Sequence, residues 1–163
     1  MKFSVAAILA AAPAILASPV KRQDAEKFGL LSIRSGDANV HLRSIDAING
    51  YFYIGRQAGN ATVLQGSNES GFSLATSAAG TQQVYVEATH GAIPGALAYN
   101  AAGSDVPGTG ITEGFSVDDN SFSFAGASWV ACPTQGAYIV QAIALEGDVP
   151  EFCVSIAIKP ITQ

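Results

Sequence analysis

The chain has 163 residues, of which 48% are hydrophobic and 13% are charged, and its formal net charge is −5. This composition suits one folded domain and excludes a disordered protein, a coiled coil and, with only 2 cysteines, a disulfide-dense scaffold. The negative charge argues against nucleic-acid binding, because proteins hold phosphate backbones with basic surfaces.

The first residues have the layout of a secretory signal peptide, which we place at residues 1–17. Lys2 supplies a positive charge before the apolar run Val5–Ala17, and small residues follow that run. A membrane-spanning helix needs roughly 20 apolar residues. The run is shorter than this, and Pro13 interrupts it. We therefore expect cleavage of the leader and no membrane span in the mature chain.

Residues 18–22 end in the basic pair Lys21 and Arg22, which indicates a short propeptide with a dibasic processing site. An extended terminus of this kind is easily reached by a protease. The alternative is that the two charges are simply solvated near a flexible terminus. Processing after Arg22 would leave residues 23–163 as a single β-rich domain that retains all 13 acidic residues.

Short runs with period-two alternation dominate the rest of the chain, and no longer segment holds a helical period of 3.6 residues. Turn residues separate these runs, and the Gly-, Ser-, Asp- and Pro-rich stretch Ala101–Gly110 predicts a long loop. The clearest strand candidates in chain order are Phe28–Arg34, Tyr51–Ile54 after the turn Asn49-Gly50, Gln83–Glu87, a hairpin over Phe115–Phe124, the apolar run Tyr138–Leu145, and Val154–Ile158.

The number and length of these runs predict an all-β fold, a small antiparallel β-barrel of about ten short strands. A β-sandwich and a β-trefoil-like fold are the two alternatives. The trefoil is suggested by Gly71–Leu74, whose sequence returns in similar form at Gly114–Val117. A third copy is not found, so two similar strands in one sheet explain the likeness equally well.

Two sequons for N-glycosylation follow the second strand candidate, Asn60-Ala61-Thr62 and Asn68-Glu69-Ser70. Neither has proline in its middle position. Both lie in a stretch rich in Gly, Ser and Asn, which is typical of a surface loop. We therefore predict that Asn60 and Asn68 are glycosylation sites.

Cys132 and Cys153 are the only cysteines, and both remain after processing. In an oxidising compartment such a pair usually forms a disulfide. A closed loop of about 20 residues stabilises a domain by roughly 3 kcal/mol. The alternative is a nucleophilic thiol, which needs a nearby base, and His41 and His90 are the only histidines.

The run Tyr51-Phe52-Tyr53 places an aromatic ring on both faces of a predicted strand. Aromatic rings on a β surface can stack on sugars, so Tyr51 and Tyr53 are candidates for sugar stacking. The alternative is that one face packs into the core and one amphipathic tyrosine lies at the surface. Trp129 precedes the first cysteine closely and is interpreted as a core ring packed near the disulfide.

No constellation for catalysis stands out. The chain lacks a hydrolase nucleophile elbow, a phosphate loop and a zinc-protease motif. Asp118 and Asp119 are adjacent in a predicted turn, where such residues usually shape the turn. A hydrolase would have to rely on acids that only the fold could pair, such as Asp46, Glu87 and Glu113. We therefore predict no catalytic residue, no metal site and no cofactor.

Several segments in a fixed order carry a resemblance to a known family. The segments are Phe28–Gly36, Gln82–Val86, Gly114–Val117, Phe122–Gly126, Trp129–Pro133, Tyr138–Val140 and Cys153. With them the chain resembles small secreted fungal proteins of the phiA-like cell-wall type and the related hypersensitive-response-inducing elicitor proteins of plant-associated fungi. The resemblance implies a barrel-like all-β fold, an extracellular or wall location, no catalytic motif, and a structural pair of Cys132 and Cys153.

Together with the signal peptide, the Lys-Arg site and the paired cysteines, this resemblance predicts a non-enzymatic, secreted fungal protein that is associated with the cell wall and is perceived by plants as a hypersensitive-response elicitor. The alternative is a carbohydrate-binding module of the fungal wall. The corresponding partners are a cell-wall polysaccharide and a plant surface receptor. A hydrolase is the third candidate, and its only support is a set of carboxylates that the sequence does not bring together.

Overall fold

The computed structural model describes residues 26–75, 80–146 and 150–162. The predicted signal peptide (1–17) and propeptide (18–22), with Lys21 and Arg22, lie outside the described residues. Those residues form thirteen strands and one short helix: β1 Glu26–Ile33, β2 Arg43–Ile48, β3 Tyr51–Ile54, β4 Leu64–Ser67, β5 Gly71–Leu74, β6 Val84–Glu87, β7 Leu97–Tyr99, β8 Gly110–Ile111, β9 Phe115–Val117, β10 Phe122–Phe124, β11 Trp129–Thr134, β12 Ala137–Ala142, α1 Ile143–Glu146 and β13 Val154–Thr162.

Six of these strands form a closed antiparallel barrel in the order β1, β2, β3, β12, β11, β13 and back to β1. The predicted small antiparallel barrel is confirmed. The trefoil-like alternative is wrong, because the barrel strands come from residues 26–54 and 129–162 rather than from three repeated thirds of the chain. The sandwich alternative is also wrong, since the sheet closes on itself.

Period-two alternation sorts the barrel side chains into an inner and an outer face. In β1, for example, Phe28, Leu30 and Ser32 are buried while their neighbours are partly exposed. The Ser32 hydroxyl is satisfied inside the barrel by the backbone carbonyls of Val40 and Arg43. The inner face supplies most of the main core, including Phe28, Leu30, Ile45, Phe52, Ile54, Trp129, Val140, Ile156 and Ile158.

Two predicted turns have the expected form. Asn49 and Gly50 have φ angles of 51° and 88°, the left-handed pair that a tight turn between β2 and β3 requires. The hairpin predicted over Phe115–Phe124 is confirmed as β9 and β10, with Phe124 opposite Phe115. Its phenylalanine rings pack against Trp129 in the main core.

The remaining strands extend the sheet on either side of the barrel. β4 pairs with β1 and β5 with β4, while β7 pairs with β3, β6 with β7 and β8 with β6. The two extensions meet at a bridge between Ser73 and Gln83. A groove runs across this junction.

One strand boundary differs from the sequence prediction. The apolar run Tyr138–Leu145 was predicted as a single strand, but β12 ends at Ala142 and α1 follows. The physical reason is register: Ala142 pairs with Trp129, the first residue of β11, so later residues have no ladder partner there. No helix in the described ranges is both long and apolar enough to cross a membrane.

Candidate functional site

A second, smaller core lies on the outer face of the barrel. Cys132 and Cys153 form a disulfide, so the predicted pairing is confirmed and a nucleophilic thiol is excluded. The bond ties the chain that follows β12 back to β11. The residues of this outer core are Tyr53, Ala96, Val130, Cys132, Ile139 and Cys153, with Ile48, Tyr51, Ile93 and Ile143 packed against it.

The predicted stacking tyrosines belong to this outer face. Tyr53 is only 8% exposed, and the Arg56 guanidinium lies 4.5 Å above the centre of its ring. Tyr51 is half-buried and shares its row of the sheet with Tyr85, since both tyrosines lie opposite Ala98. Little of the Tyr53 ring is therefore open to a sugar, and stacking at these positions stays a prediction.

A buried carboxylate accompanies the tyrosines. Glu87 is 4% exposed and accepts a hydrogen bond from the Ala92 backbone N–H at 3.1 Å. Burial raises the pKa of Tyr51 above its ordinary value, with the nearby Glu87 charge and a hydrogen bond to that carboxylate adding to the effect. Burial also raises the pKa of Tyr85, and the Glu87 charge again contributes. Each phenol therefore ionises at a higher pH than an ordinary tyrosine does.

These shifts predict a loss of stability in alkali. The ordinary tyrosine pKa is 10.0, and the folded-state pKa of Tyr51 and Tyr85 is higher. The stabilising contribution is fully present below about pH 10 and is lost as the pH rises through the folded-state pKa, because the unfolded phenols ionise first. We expect the urea midpoint to fall between about pH 9 and about pH 11. A Tyr51→Phe, Tyr85→Phe double variant serves as control and should lose less; an equal loss would contradict the assignment.

A polar groove crosses the junction of β5 and β6. One part has a volume of ≈ 500 Å³ and is lined by the loop after Asn100, and the other has a volume of ≈ 420 Å³ and lies along β4 and β5. Thr81 and Gln83 line both parts, so the two parts meet there. The hydroxyl and amide side chains along this junction groove are Gln65, Ser70, Ser73, Thr81, Gln83, Asn100, Ser104 and Thr112, with the carboxylate of Asp105.

Asn100 fixes the shape of the junction groove. Its side-chain oxygen accepts from the Gln83 backbone N–H, and its side-chain amide donates to the Ser104 carbonyl. The residue is buried, so these bonds are shielded from water and hold the loop that begins at Ala101. The predicted loop Ala101–Gly110 is confirmed up to Gly110, which begins β8.

The side-chain amide of Gln83 lies where the two parts of the groove meet. Within the described ranges no protein group bonds to it, although its backbone N–H is occupied by Asn100. An amide offers two donors and an acceptor, and neighbouring hydroxyls offer both functions. With one carboxylate among neutral polar groups, the junction groove has the chemistry to bind a neutral, hydroxyl-rich ligand.

Of the remaining candidates, His41 lies in the β1–β2 loop, and Asp118 and Asp119 lie in the turn between β9 and β10. The His41 ring accepts a hydrogen bond from the Arg34 backbone at 3.1 Å, and the Asp118 carboxylate accepts from the backbones of Asn120 and Ser121. His90, Asp119 and Glu113 are exposed. In the part of the chain that the structure describes, no three His, Cys, Asp or Glu residues could hold a metal ion together.

Both sequons lie at the surface, in the β3–β4 loop for Asn60 and in the β4–β5 turn for Asn68. Asn60 has no hydrogen-bonded partner within the described residues. The Asn68 side chain, in contrast, pairs with the backbone of Val117 in β9. Sequence reasoning missed this pairing and the junction groove; the only signal for the groove was the cluster of polar side chains in Thr81-Gln82-Gln83 and in the loop from Asn100.

Residues 28–162 match the sequence model of a family described as PhiA-like secreted protein. The chain is 34% identical over 157 residues to the cell wall protein phiA of Emericella nidulans, and the match covers 86% of this chain and 81% of that protein. No solved structure matches the chain. The chain is a secreted protein that belongs to the PhiA-like family.

Proposed function

We propose that this protein is a non-catalytic component of the fungal cell wall that binds a neutral wall polysaccharide in the junction groove. The wall association is supported by the similarity to the cell wall protein phiA of Emericella nidulans. The secreted character of the family and the disulfide agree with an extracellular setting.

The observation that carries the proposed ligand class is the unbonded Gln83 amide at the meeting point of the two parts of the groove. Sugar hydroxyls both donate and accept hydrogen bonds, and the groove side chains do the same. The rigid loop held by Asn100 preserves the shape of the groove before binding, which reduces the entropic cost of association. Tyr51 and Tyr53 form the alternative site, but burial and Arg56 restrict it.

A binding experiment on insoluble polysaccharides tests the proposal. The secreted, folded chain is incubated with chitin, β-glucan and whole fungal wall, and the bound fraction is measured against concentration. We expect saturable binding by the folded protein. Gln83→Ala should weaken the apparent affinity about fivefold to tenfold, because a neutral hydrogen bond contributes about 1 kcal/mol.

Gln57→Ala is the matched control, since Gln57 is an exposed glutamine outside the groove. Equal binding by Gln83→Ala and the wild type would place the ligand elsewhere, and Tyr51→Ala would then test the outer face. If the folded protein binds none of the three materials saturably, polysaccharide recognition is contradicted. Release of soluble sugar during the incubation would contradict the non-catalytic role.

Perception by a plant, which the elicitor resemblance implies, stays a prediction. It concerns a plant surface receptor rather than the wall polysaccharide, and leaf infiltration of the folded protein with scoring of cell death checks it. The heat-denatured protein serves as the control for non-specific damage.

A further inference from the structure

The two sequons differ in what their asparagine side chains already do. The Asn68 side-chain amide donates to the Val117 carbonyl at 3.1 Å, and its oxygen accepts from the Val117 backbone N–H at 2.7 Å. This two-bond pair, here called the Asn68 clamp, joins the β4–β5 turn to β9. It resembles a strand pairing, in which both backbone groups of one residue are satisfied by one partner.

The Asn68 clamp requires an amide hydrogen on the same side as the amide oxygen, because both bonds reach a single residue. A glycan replaces one of the two hydrogens on the nitrogen and creates a secondary amide. Secondary amides are planar and adopt the trans form, in which the remaining N–H points away from the oxygen. A glycosylated Asn68 therefore cannot form the clamp.

Asn60 carries no such constraint. It is exposed in the β3–β4 loop, and its side chain has no hydrogen-bonded partner in the described part of the chain. The third residue of its sequon, Thr62, is held in place, since its hydroxyl accepts from the Ala47 backbone N–H at 2.7 Å. A glycan on Asn60 would extend into solvent without the loss of a contact.

We propose that Asn60 carries the N-linked glycan of the secreted protein and that Asn68 remains unmodified as the clamp on β9. The transfer forms a bond between the Asn60 side-chain nitrogen and the anomeric carbon of the first sugar. It breaks the bond from that carbon to the diphosphate of a polyprenyl-linked oligosaccharide donor, and the amide proton leaves with the diphosphate.

The clamp has a structural consequence that gives a second readout. β9 carries Phe115. The centre of its ring lies 5.6 Å from the ring centre of Phe122 and 5.1 Å from that of Phe124. These rings belong to the main core. Loss of the clamp should therefore loosen the β9–β10 hairpin more than the barrel strands.

The test uses the full chain expressed in a glycosylating, secreting host. Enzymatic removal of N-glycans in heavy-oxygen water marks each formerly occupied asparagine, and mass spectrometry of peptides locates the mark. We expect the mark at Asn60 alone, its loss in Asn60→Gln, and an unchanged mass of the attached glycan in Ser70→Ala. A mark at Asn68 in the wild type, or a protein without any glycan, overturns the proposal.

Hydrogen exchange tests the structural role of the Asn68 clamp independently of glycosylation. Ser70→Ala removes the second sequon but leaves the Asn68 amide in place, whereas Asn68→Ala removes both. We expect amides of the β9–β10 hairpin to exchange about tenfold faster in Asn68→Ala and at the wild-type rate in Ser70→Ala. Equal rates in Asn68→Ala and the wild type would contradict the structural role of Asn68.

Discussion

Replacement of Trp129 by alanine is expected to lower the free energy of unfolding by about 3–5 kcal/mol, the range for deletion of a fully buried aromatic side chain. This is a large fraction of the roughly 5–15 kcal/mol that stabilises a typical domain. The measurement is urea denaturation followed by circular dichroism. Tryptophan fluorescence is unsuitable, because Trp129 is the only tryptophan.

The reason for the large effect is the position of Trp129 between the barrel and the β9–β10 hairpin. The side chain is 0% exposed, and its ring lies parallel to that of Phe122, 5.6 Å between centres with 4° between planes. Its indole N–H donates to the Phe122 backbone carbonyl at 2.6 Å. Truncation thus creates a cavity, breaks an aromatic stack and leaves a buried carbonyl without this donor.

Two further variants keep this prediction testable if Trp129→Ala fails to fold. Trp129→Phe retains a ring and should cost about 1–3 kcal/mol, since it loses the hydrogen bond and part of the volume. Phe152→Ala is the matched control, because Phe152 is 68% exposed and its truncation should change stability by less than about 0.5 kcal/mol. If Trp129→Phe lowers the free energy of unfolding by less than Phe152→Ala does, the packing of Trp129 in the core is contradicted.

Removal of the disulfide by Cys132→Ala with Cys153→Ala is expected to lower the free energy of unfolding by about 3 kcal/mol. The sequence separation is 21, so the bond restricts a moderately long loop in the unfolded chain. In the folded chain it holds the segment after β12 over the outer core. Its loss should also increase hydrogen exchange in β11 near Cys132, where that cover is removed.

Chemical reduction provides the control for the disulfide variant. Wild-type protein treated with reductant should reach the urea midpoint of the double variant, whereas the same reductant should leave the double variant unchanged. If reduction does not shift the wild-type midpoint, the bond contributes nothing measurable and the prediction is contradicted.

Much of the fold could be predicted because its signals are local. Alternation in Phe28–Arg34 and in Tyr51–Ile54 depends only on neighbouring residues, and β1 and β3 lie in those segments. The residue types of Asn49 and Gly50 define their turn. The Cys132–Cys153 disulfide could be predicted because the chain has only two cysteines and its compartment is oxidising.

The candidate site could not be predicted in the same way, because it depends on contacts between distant segments. Gln83 and Ser104 line one groove only because Asn100 connects their backbones. The Asn68 clamp joins residues that are 49 positions apart. The burial of Tyr53 likewise comes from Ala96, Cys153 and other outer-core residues that are distant from it in the sequence.

The pairing of β1 with β13 also has a consequence for how the protein is made. Phe28 lies opposite Thr162 and Ile33 opposite Ala157, so the first described strand closes the barrel against the last. The barrel therefore cannot close until β13 has been synthesised and translocated. Non-local strand pairing of this kind also folds slowly. Until then β1 keeps an unpaired edge, and exposed strand edges of this kind favour aggregation during folding.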